Sequence, residues 1–405
     1  MFLRDAIVIG AGPAGNIAAS ELASKGWDVA VVDWRENLGE KLCTGIVGME
    51  CHERFPVRPE HVYRHARSAA IFSPSGIEYP VVADRTTALI VDRAAYIRSM
   101  ADTAIGEGAE YILGRRVSKI ECSGSGISVE TVAEGPISRI DAKMAIITSG
   151  FGTPLLRMVG LRAGKKTDHM VGNQTEVRAE GLAGTEVYTG DHIAPESFGW
   201  LVPLDGSRAL VGIMSRHKLN GHLQHFQEFL TAKGKISEPN PAAKSWGIPL
   251  KPVSKTYGDR VLVAGDAAGF AKPTTGGGIY YALISGQMAG RAAVEALENE
   301  RFSASDLKGY ESQWKQGIGK EFRVGYYARM LFESMSDEQL ERLMSLFLSD
   351  GMLQDLVLSP DFSFDWHSGI ITKTVRHGDL TPVIRSFGPI VAPFLARLLR
   401  HSVTR

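Results

Sequence analysis

Cysteine is scarce in this 405-residue chain, neither sign of charge prevails, and no long run of apolar residues is present. The three cysteines, Cys43, Cys51 and Cys122, are odd in number and lack zinc-ligand spacing, which argues against a disulfide framework and against a metal site. With no secretory leader legible at the start, they predict a reducing, cytoplasmic setting. Lys+Arg and Asp+Glu stand at 45 each, so no net field gathers nucleic acid, and any ligand must be held by local chemistry. The longest uncharged stretch, Pro273 to Gly290, is about as long as a membrane span, but its Gly, Thr, Ser and Gln mark a loop entering a buried helix. The 11 histidines fall into no metal or catalytic pattern. What remains, 44% hydrophobic and 22% charged, is a globular composition long enough for two or three domains. Glycine, at 44 residues, is the one excess.

Near the N-terminus the glycines are ordered. Asp5 to Ile9 is a short β-branched run opening onto Gly10-Ala-Gly12-Pro-Ala-Gly15, after which Ala18, Ala19, Leu22 and Ala23 recur at helical spacing. A second strand, Asp28 through Val32, ends at Asp33, where a dinucleotide fold places its ribose-binding acid. Gly10 permits the tight turn, Gly12 lets backbone approach a pyrophosphate, and Gly15 lets the helix pack on the strand, with the phosphates at the helix N-terminus. Asp33 suits a free 2′-hydroxyl and disfavours NADP. A distant segment, Val261-Leu-Val-Ala-Gly265-Asp266-Ala-Ala-Gly269 followed by Pro273-Thr-Thr-Gly276-Gly277-Gly278-Ile279, reads as another strand ending in Gly-Asp and a Gly-rich entry to a helix from Ile279 to about Leu297. Together the two motifs resemble the FAD-binding pattern of the para-hydroxybenzoate hydroxylase superfamily. In that pattern the Asp, here Asp266, holds the ribityl chain. The N-terminal dipole of the helix can stabilise negative charge on a reduced isoalloxazine.

Three further segments, in order, are similar to the geranylgeranyl reductase family of prenyl-lipid reductases. They are Leu42-Cys43-Thr44-Gly45, Asp92-Arg93 before a helical run, and Pro195-Glu-Ser-Phe198-Gly-Trp200-Leu-Val202-Pro203. The family pattern P-x-x-Y-x-W-x-F-P is met at Pro195, Trp200 and Pro203, with Phe198 in place of its Tyr and Val202 in place of its Phe. Some archaeal members carry Cys-Gly-Glu-Gly where this chain has Cys43-Thr44-Gly45-Ile46. The resemblance implies FAD contacts from Ala14, Arg35, Cys43, Thr44, Gly45, Arg93, Val117, Asp266, Gly277, Gly278 and Ile279, beside Gly10, Gly12, Gly15 and Asp33. It implies Cys43 near the flavin as a tentative catalytic residue, with no proton donor named, and substrate contacts from Phe198 and Trp200. It also implies saturation of C=C bonds in a geranylgeranyl-type lipid, with electrons from NAD(P)H or a ferredoxin-like protein. An FAD-dependent monooxygenase and a non-redox lipid isomerase or binding protein share the flavin motifs and stay open.

Taken one by one, these residues have plainer readings. Cys43 could be a small buried hydrophobe, Arg93 a solvated charge on an amphipathic helix and Trp200 ordinary core; Cys51 and Cys122 are expected to pack. The expected fold is α/β: a discontinuous Rossmann-like FAD domain (1–60, 93–165, 252–300), an antiparallel-sheet substrate domain (61–92, 166–251) and a helical C-terminal region (301–405). In that last region Leu340, Leu343, Leu346 and Phe347 share a face. The tail sets Lys373, Arg376, Arg385, Arg397, Arg400 and Arg405 against Asp379 alone, which fits either peripheral contact with anionic lipid or a solvated helix.

Overall fold

The computed structural model describes residues 3–40, 43–133, 138–161, 168–217, 219, 221–348 and 352–377. The chain begins with β1 (Arg4–Ile9), α1 (Pro13–Ala23) and β2 (Val29–Val32), as the Gly-rich segment predicts. Next come β3 (Ile46–Gly48), α2 (Met49–Arg54), β4 (Val62–Ala66), β5 (Ser68–Phe72), β6 (Glu78–Val82), β7 (Ala88–Val91) and α3 (Arg93–Gly106). After β8 (Glu110–Ile112), β9 (Arg116–Cys122), β10 (Ile127–Val132), β11 (Ser138–Ile147) and α4 (Leu155–Met158) there are four more strands. These are β12 (His169–Arg178), β13 (Thr185–Thr189), β14 (Phe198–Pro203) and β15 (Arg208–Ser215). Then follow α5 (His222–Ala232), β16 (Lys244–Pro249), β17 (Tyr257–Gly258), β18 (Val261–Val263) and α6 (Ile279–Glu298). The chain continues through α7 (Ala304–Gly317), α8 (Gly319–Glu333), α9 (Asp337–Leu348), α10 (Met352–Leu358) and α11 (Ser368–His377).

Two compact units result. The first comprises Met1–Lys41, Arg93–Asp168 and Pro249–Phe322, the second Leu42–Asp92, His169–Ile248 and Arg323–Arg405. This division departs from the expected boundaries at two places. Residues 42–60 belong to the second unit, because β3 pairs with β7. The stretch 301–405 is not a region of its own. Its first helix, α7, is tied to the first unit by Tyr310 Oη donating to Val263 O (2.8 Å) and Trp314 Nε1 donating to Thr256 Oγ1 (2.8 Å).

In the first unit the sheet runs β17-β18-β11-β1-β2-β8. The central strands are parallel, and β9 and β10 extend β11 as an antiparallel meander. Ile7, Val8, Val29, Ala30 and Ile146 are fully buried, as parallel strands covered on both faces must be. Helices α1 and α6 lie close enough that a Cβ at Gly286 would run into the Ala14 backbone, and one at Gly290 would sit 3.0 Å from Ala18 O.

The second unit holds a seven-stranded sheet, β16-β12-β15-β14-β13-β5-β6, and a three-stranded one, β3-β7-β4. The large sheet is mixed rather than wholly antiparallel: β13 runs parallel to β5. Strand alternation sends Leu201, Val211 and Ile213 to a core with Phe226 and Leu230 of α5. The opposite face carries Phe198, Trp200, Gly212 and Gln174. On α9 the buried pair is Leu340 and Met344, packed against Tyr79, while Leu343 is half-buried and Leu346 is 38% exposed. The expected four-residue face is therefore narrower, one i,i+4 pair against β6; the Phe347 side chain lies outside the described residues. Cys51 is buried as expected, whereas Cys122, at the end of β9, is exposed.

Candidate functional site

The three glycines of the N-terminal motif differ in what demands them. Gly10 has φ +114, and a Cβ there would meet Thr148 O at 2.6 Å. A Cβ at Gly15 would run into the carbonyl of Gly10, so helix and turn touch through it. Gly12 has ordinary extended backbone (φ −86) and a Cβ there would meet no atom of the described residues within 4 Å. Nothing among the described residues requires glycine at that position. Gly12 is also the N-cap of α1 and provides no side-chain cap, so the orphan N–H groups of the first turn are available to an anion.

Asp33, 4% exposed at the end of β2, accepts from Ala11 N (2.7 Å) through Oδ2 and from Arg35 N (2.8 Å) through Oδ1, with the Arg35 guanidinium 3.4 Å away. The acid is thus locked to the Gly-rich turn by backbone donors. Val117 follows two residues after Arg115, whose N–H donates to Asp33 O (3.0 Å). Arg93 is 9% exposed and donates to Gly39 O (2.9 Å), so it fixes the loop after β2 and is not a solvated charge.

The second motif adjoins the first at Ala14. A Cβ on Gly265 would lie 3.1 Å from Ala14 Cβ. After β18 the chain makes a tight turn at Gly265–Ala268 and leaves it through Gly269 at φ +82. Asp266 Oδ1 lies 3.0 Å from where a Gly278 Cβ would be, beside the start of α6. The loop into α6 is closed by Lys272 N donating to Gly277 O (2.9 Å) and Gly276 N donating to Lys272 O (2.8 Å). Gly278 caps α6 with no side chain, and Ile279 begins the helix, 9% exposed.

In the second unit, Cys43, Thr44 and Gly45 lead into β3; Cys43 is a half-buried free thiol and Gly45 O accepts from Val91 N (2.9 Å). Trp200 is 7% exposed and lies across Gly212, where any Cβ would collide with its indole. Its Nε1 donates to Gln174 Oε1 (3.0 Å), and its ring meets Phe198 at 6.3 Å and Trp246 at 6.4 Å, both edge-on. Phe198 is flanked by Arg329, 2% exposed, which binds Glu333 (2.8 Å) and Ser197 Oγ (2.5 Å). Burial pulls the Arg329 pKa down while Glu333 opposes the fall, and Arg216 completes the ion group through Glu333 at 2.7 Å.

The residues of the first unit fit FAD. A cradle at Gly12 admits a ligand where a side chain would fill it, two uncapped helix starts offer N–H donors, and an acid suited to a ribose stands beside the turn. Ser149 Oγ, next to Gly10, is buried with no hydrogen-bond partner among the described residues. The sequence model of the FAD dependent oxidoreductases matches residues 5–325. The chain belongs to the FAD-dependent oxidoreductases, in the geranylgeranyl reductase family. A digeranylgeranylglycerophospholipid reductase of Methanocaldococcus jannaschii is 30% identical over 358 residues, covering 84% of this chain and 89% of that protein. One from Methanopyrus kandleri is also 30% identical, with the same coverage. Among solved structures, a geranylgeranyl bacteriochlorophyll reductase-like protein of Thermoplasma acidophilum superposes with a TM-score of 0.83 at 20% identity, covering 96% of this chain and 99% of that one. A p-nitrophenol 4-monooxygenase of Pseudomonas putida shares the fold at TM-score 0.68 and 14% identity, covering 88% and 96% of the two chains.

Several residues around this oxidoreductase's Gly-rich turn escaped sequence reasoning. Thr148 Oγ1 donates to Gly10 O (2.8 Å) and pins the turn from β11. Asn16, fully buried, donates to Ile97 O (3.1 Å) and accepts from Tyr111 Oη (3.0 Å), tying α1 to α3 and β8. Burial pushes the Tyr111 phenol well above its ordinary pKa, so it remains a neutral donor. Asn16, a polar residue on an otherwise apolar helix face, was the available signal.

Proposed function

We propose that this oxidoreductase saturates carbon–carbon double bonds of a geranylgeranyl-type prenyl lipid. The observation that carries the reading is the near full-length similarity to digeranylgeranylglycerophospholipid reductases. The aromatic face of Phe198, Trp200 and Trp246 supports it, being suited to a long apolar chain. In this reading Gly10, Gly12, Ala14, Gly15, Asp33, Arg35, Arg93 and Val117 bind the nucleotide part of FAD. Asp266, Gly277, Gly278 and Ile279 serve its flavin end, Cys43, Thr44 and Gly45 add flavin contacts, and Phe198 and Trp200 line the prenyl chain.

An isolated trisubstituted alkene has no carbonyl to accept an electron pair, so saturation consumes two electrons and two protons and builds positive character on a tertiary carbon. Bound FAD, when reduced, supplies the electron pair. The chain's own task is to hold the alkene away from water, and in this reading Trp200, Phe198 and Met214, the last 1% exposed, form the apolar walls that do so. Phe198 has no hydroxyl, so the proton must come from elsewhere. Electrons reach the flavin from NAD(P)H or a ferredoxin-like protein. The test is anaerobic mixing of the reduced holoenzyme with geranylgeranyl lipids: the yellow oxidised spectrum should return in proportion to double bonds lost. No reoxidation with any prenyl lipid overturns the proposal. Oxygen incorporation coupled to NAD(P)H consumption identifies a monooxygenase, and turnover on oxidised flavin without a donor identifies an isomerase.

No helix among the described residues is long and apolar enough to cross a membrane. We propose instead that the basic tail contacts anionic lipid from one side. Its first charge, Lys373, pairs with Asp361 at 3.1 Å on the surface; Arg385, Arg397, Arg400 and Arg405 and the Arg376 side chain lie outside the described residues. Each cation near an anionic surface contributes about 1 kcal/mol, lost over a Debye length. The protein should therefore co-sediment with anionic vesicles at low salt and much less at high salt. Changing Arg397, Arg400 and Arg405 to Gln should weaken binding at both. Equal partitioning of both proteins at both salts shows a solvated tail.

A further inference from the structure

Lys272 stands in the loop between the Asp266 turn and α6, and it is only 6% exposed. Its backbone closes that loop, donating to Gly277 O and accepting from Gly276 N. Its side chain turns back over the same loop: Cε lies 3.1 Å and Nζ 3.8 Å from the position a Cβ on Gly277 would take. The ammonium is therefore held within one residue of Gly278, the N-cap of α6, whose first-turn N–H groups already carry the positive end of the helix dipole. A cation at a helix N-terminus adds to the dipole instead of opposing it. Asp266, whose Oδ1 lies 3.0 Å from the Gly278 Cβ position, is the nearby acid on the same loop. Two sources of positive potential, the buried Lys272 side chain and the dipole of the half-buried α6 N-terminus, thus stand together beside the Asp266 carboxylate.

We infer that Lys272 is a redox-positioning residue that, with the α6 N-terminus, stabilises the negative charge the flavin gains on reduction. The inference rests on the proposed placement of the flavin end of FAD at Asp266 and Gly277–Ile279. It goes beyond binding, because a group that favours the reduced state raises the cofactor's potential and makes electron uptake from the donor easier. Glycine at 277 is part of the arrangement: a side chain there would press on Lys272 Cε.

The test is the FAD midpoint potential of the purified holoenzyme, measured by equilibration with reference dyes for wild type, Lys272→Met and Lys272→Arg. Lys272→Met keeps the length and apolar stem while removing the charge. It is expected to bind FAD stoichiometrically but to shift the reduced-to-oxidised ratio at fixed ambient potential at least tenfold toward oxidised, about 30 mV for a two-electron couple. Lys272→Arg should stay within about threefold of wild type. An unchanged potential in Lys272→Met overturns the inference. So does loss of FAD from Lys272→Met with full FAD and a wild-type potential in Lys272→Arg, which makes the residue a binding contact. Failure of the flavin placement itself is read separately: Asp266→Ala then retains full FAD while the Lys272 variants leave the potential untouched.

Discussion

Gly12→Val is expected to fold and purify nearly colourless, whereas Gly15→Val is expected not to fold. The contrast follows from what a side chain would meet. At Gly15 it drives into the Gly10 carbonyl, a backbone atom fixed by Thr148, and no rotamer relieves the clash. At Gly12 the backbone is extended and no atom of the described residues lies within 4 Å of a Cβ, so valine costs the fold only the modest penalty of a poor N-cap, about 1 kcal/mol. The valine would then occupy the space in which a pyrophosphate approaches α1. Cofactor affinity should fall by about 3 kcal/mol or more, roughly a hundredfold. Asp266→Ala, which removes an acceptor beside the α6 start, should also purify flavin-poor. Flavin content by absorbance, with circular dichroism to establish folding, checks all three. Stoichiometric yellow FAD in both Gly12→Val and Asp266→Ala rejects the site assignment.

Trp200→Ala should carry the largest effect in the second unit. It removes a nearly buried indole that lies across Gly212 and leaves Gln174 Oε1 without its donor. Both losses point to a destabilisation of about 3–5 kcal/mol, readable by urea denaturation. Gly212 cannot collapse into the space, having no side chain to move, so the cavity should persist and accept longer or bulkier prenyl chains. The ratio of kcat/KM between chain lengths is expected to flatten while the folded fraction keeps stoichiometric FAD. Trp200→Phe should retain most of the wall and lose only the bond to Gln174. Loss of FAD from Trp200→Ala with unchanged chain-length preference would show that Trp200 is core and no part of a substrate wall.

Much of the flavin-binding unit was legible without coordinates, because its signals are local. The strand at Arg4–Ile9, the Gly10–Gly15 turn and helix α1 lie within 20 consecutive residues, and their steric demands pass between neighbours along the chain. Helix α3 begins at Arg93, where a helical run was expected, and α6 starts at Ile279, where the glycine run ends. Asp33 stands at the end of β2 beside the turn, at the distance from it that the geometry of a βαβ unit constrains.

What the sequence could not determine depends on contacts between segments far apart in the chain. No pattern around Thr148 announces that its hydroxyl holds Gly10, 138 residues away. Parallel pairing of β13 with β5 joins strands more than 100 residues apart, and alternation reads the same in either direction. Helix α7 belongs to the first unit through Tyr310 and Trp314, although its own periodicity is like that of the helices after it. For the same reason Gln174 and Gly212 were silent in sequence. One is an amide and the other a missing side chain, and only pairing of β12, β14 and β15 brings both to Trp200. Sequence by itself determined the local βαβ unit, the second flavin motif and the family, since these need only steric and capping rules that act over a few residues. The tertiary structure alone decided which strands adjoin, where the two units divide and what faces Trp200 and Lys272, since those depend on closing loops whose length leaves many pairings open until the whole chain packs.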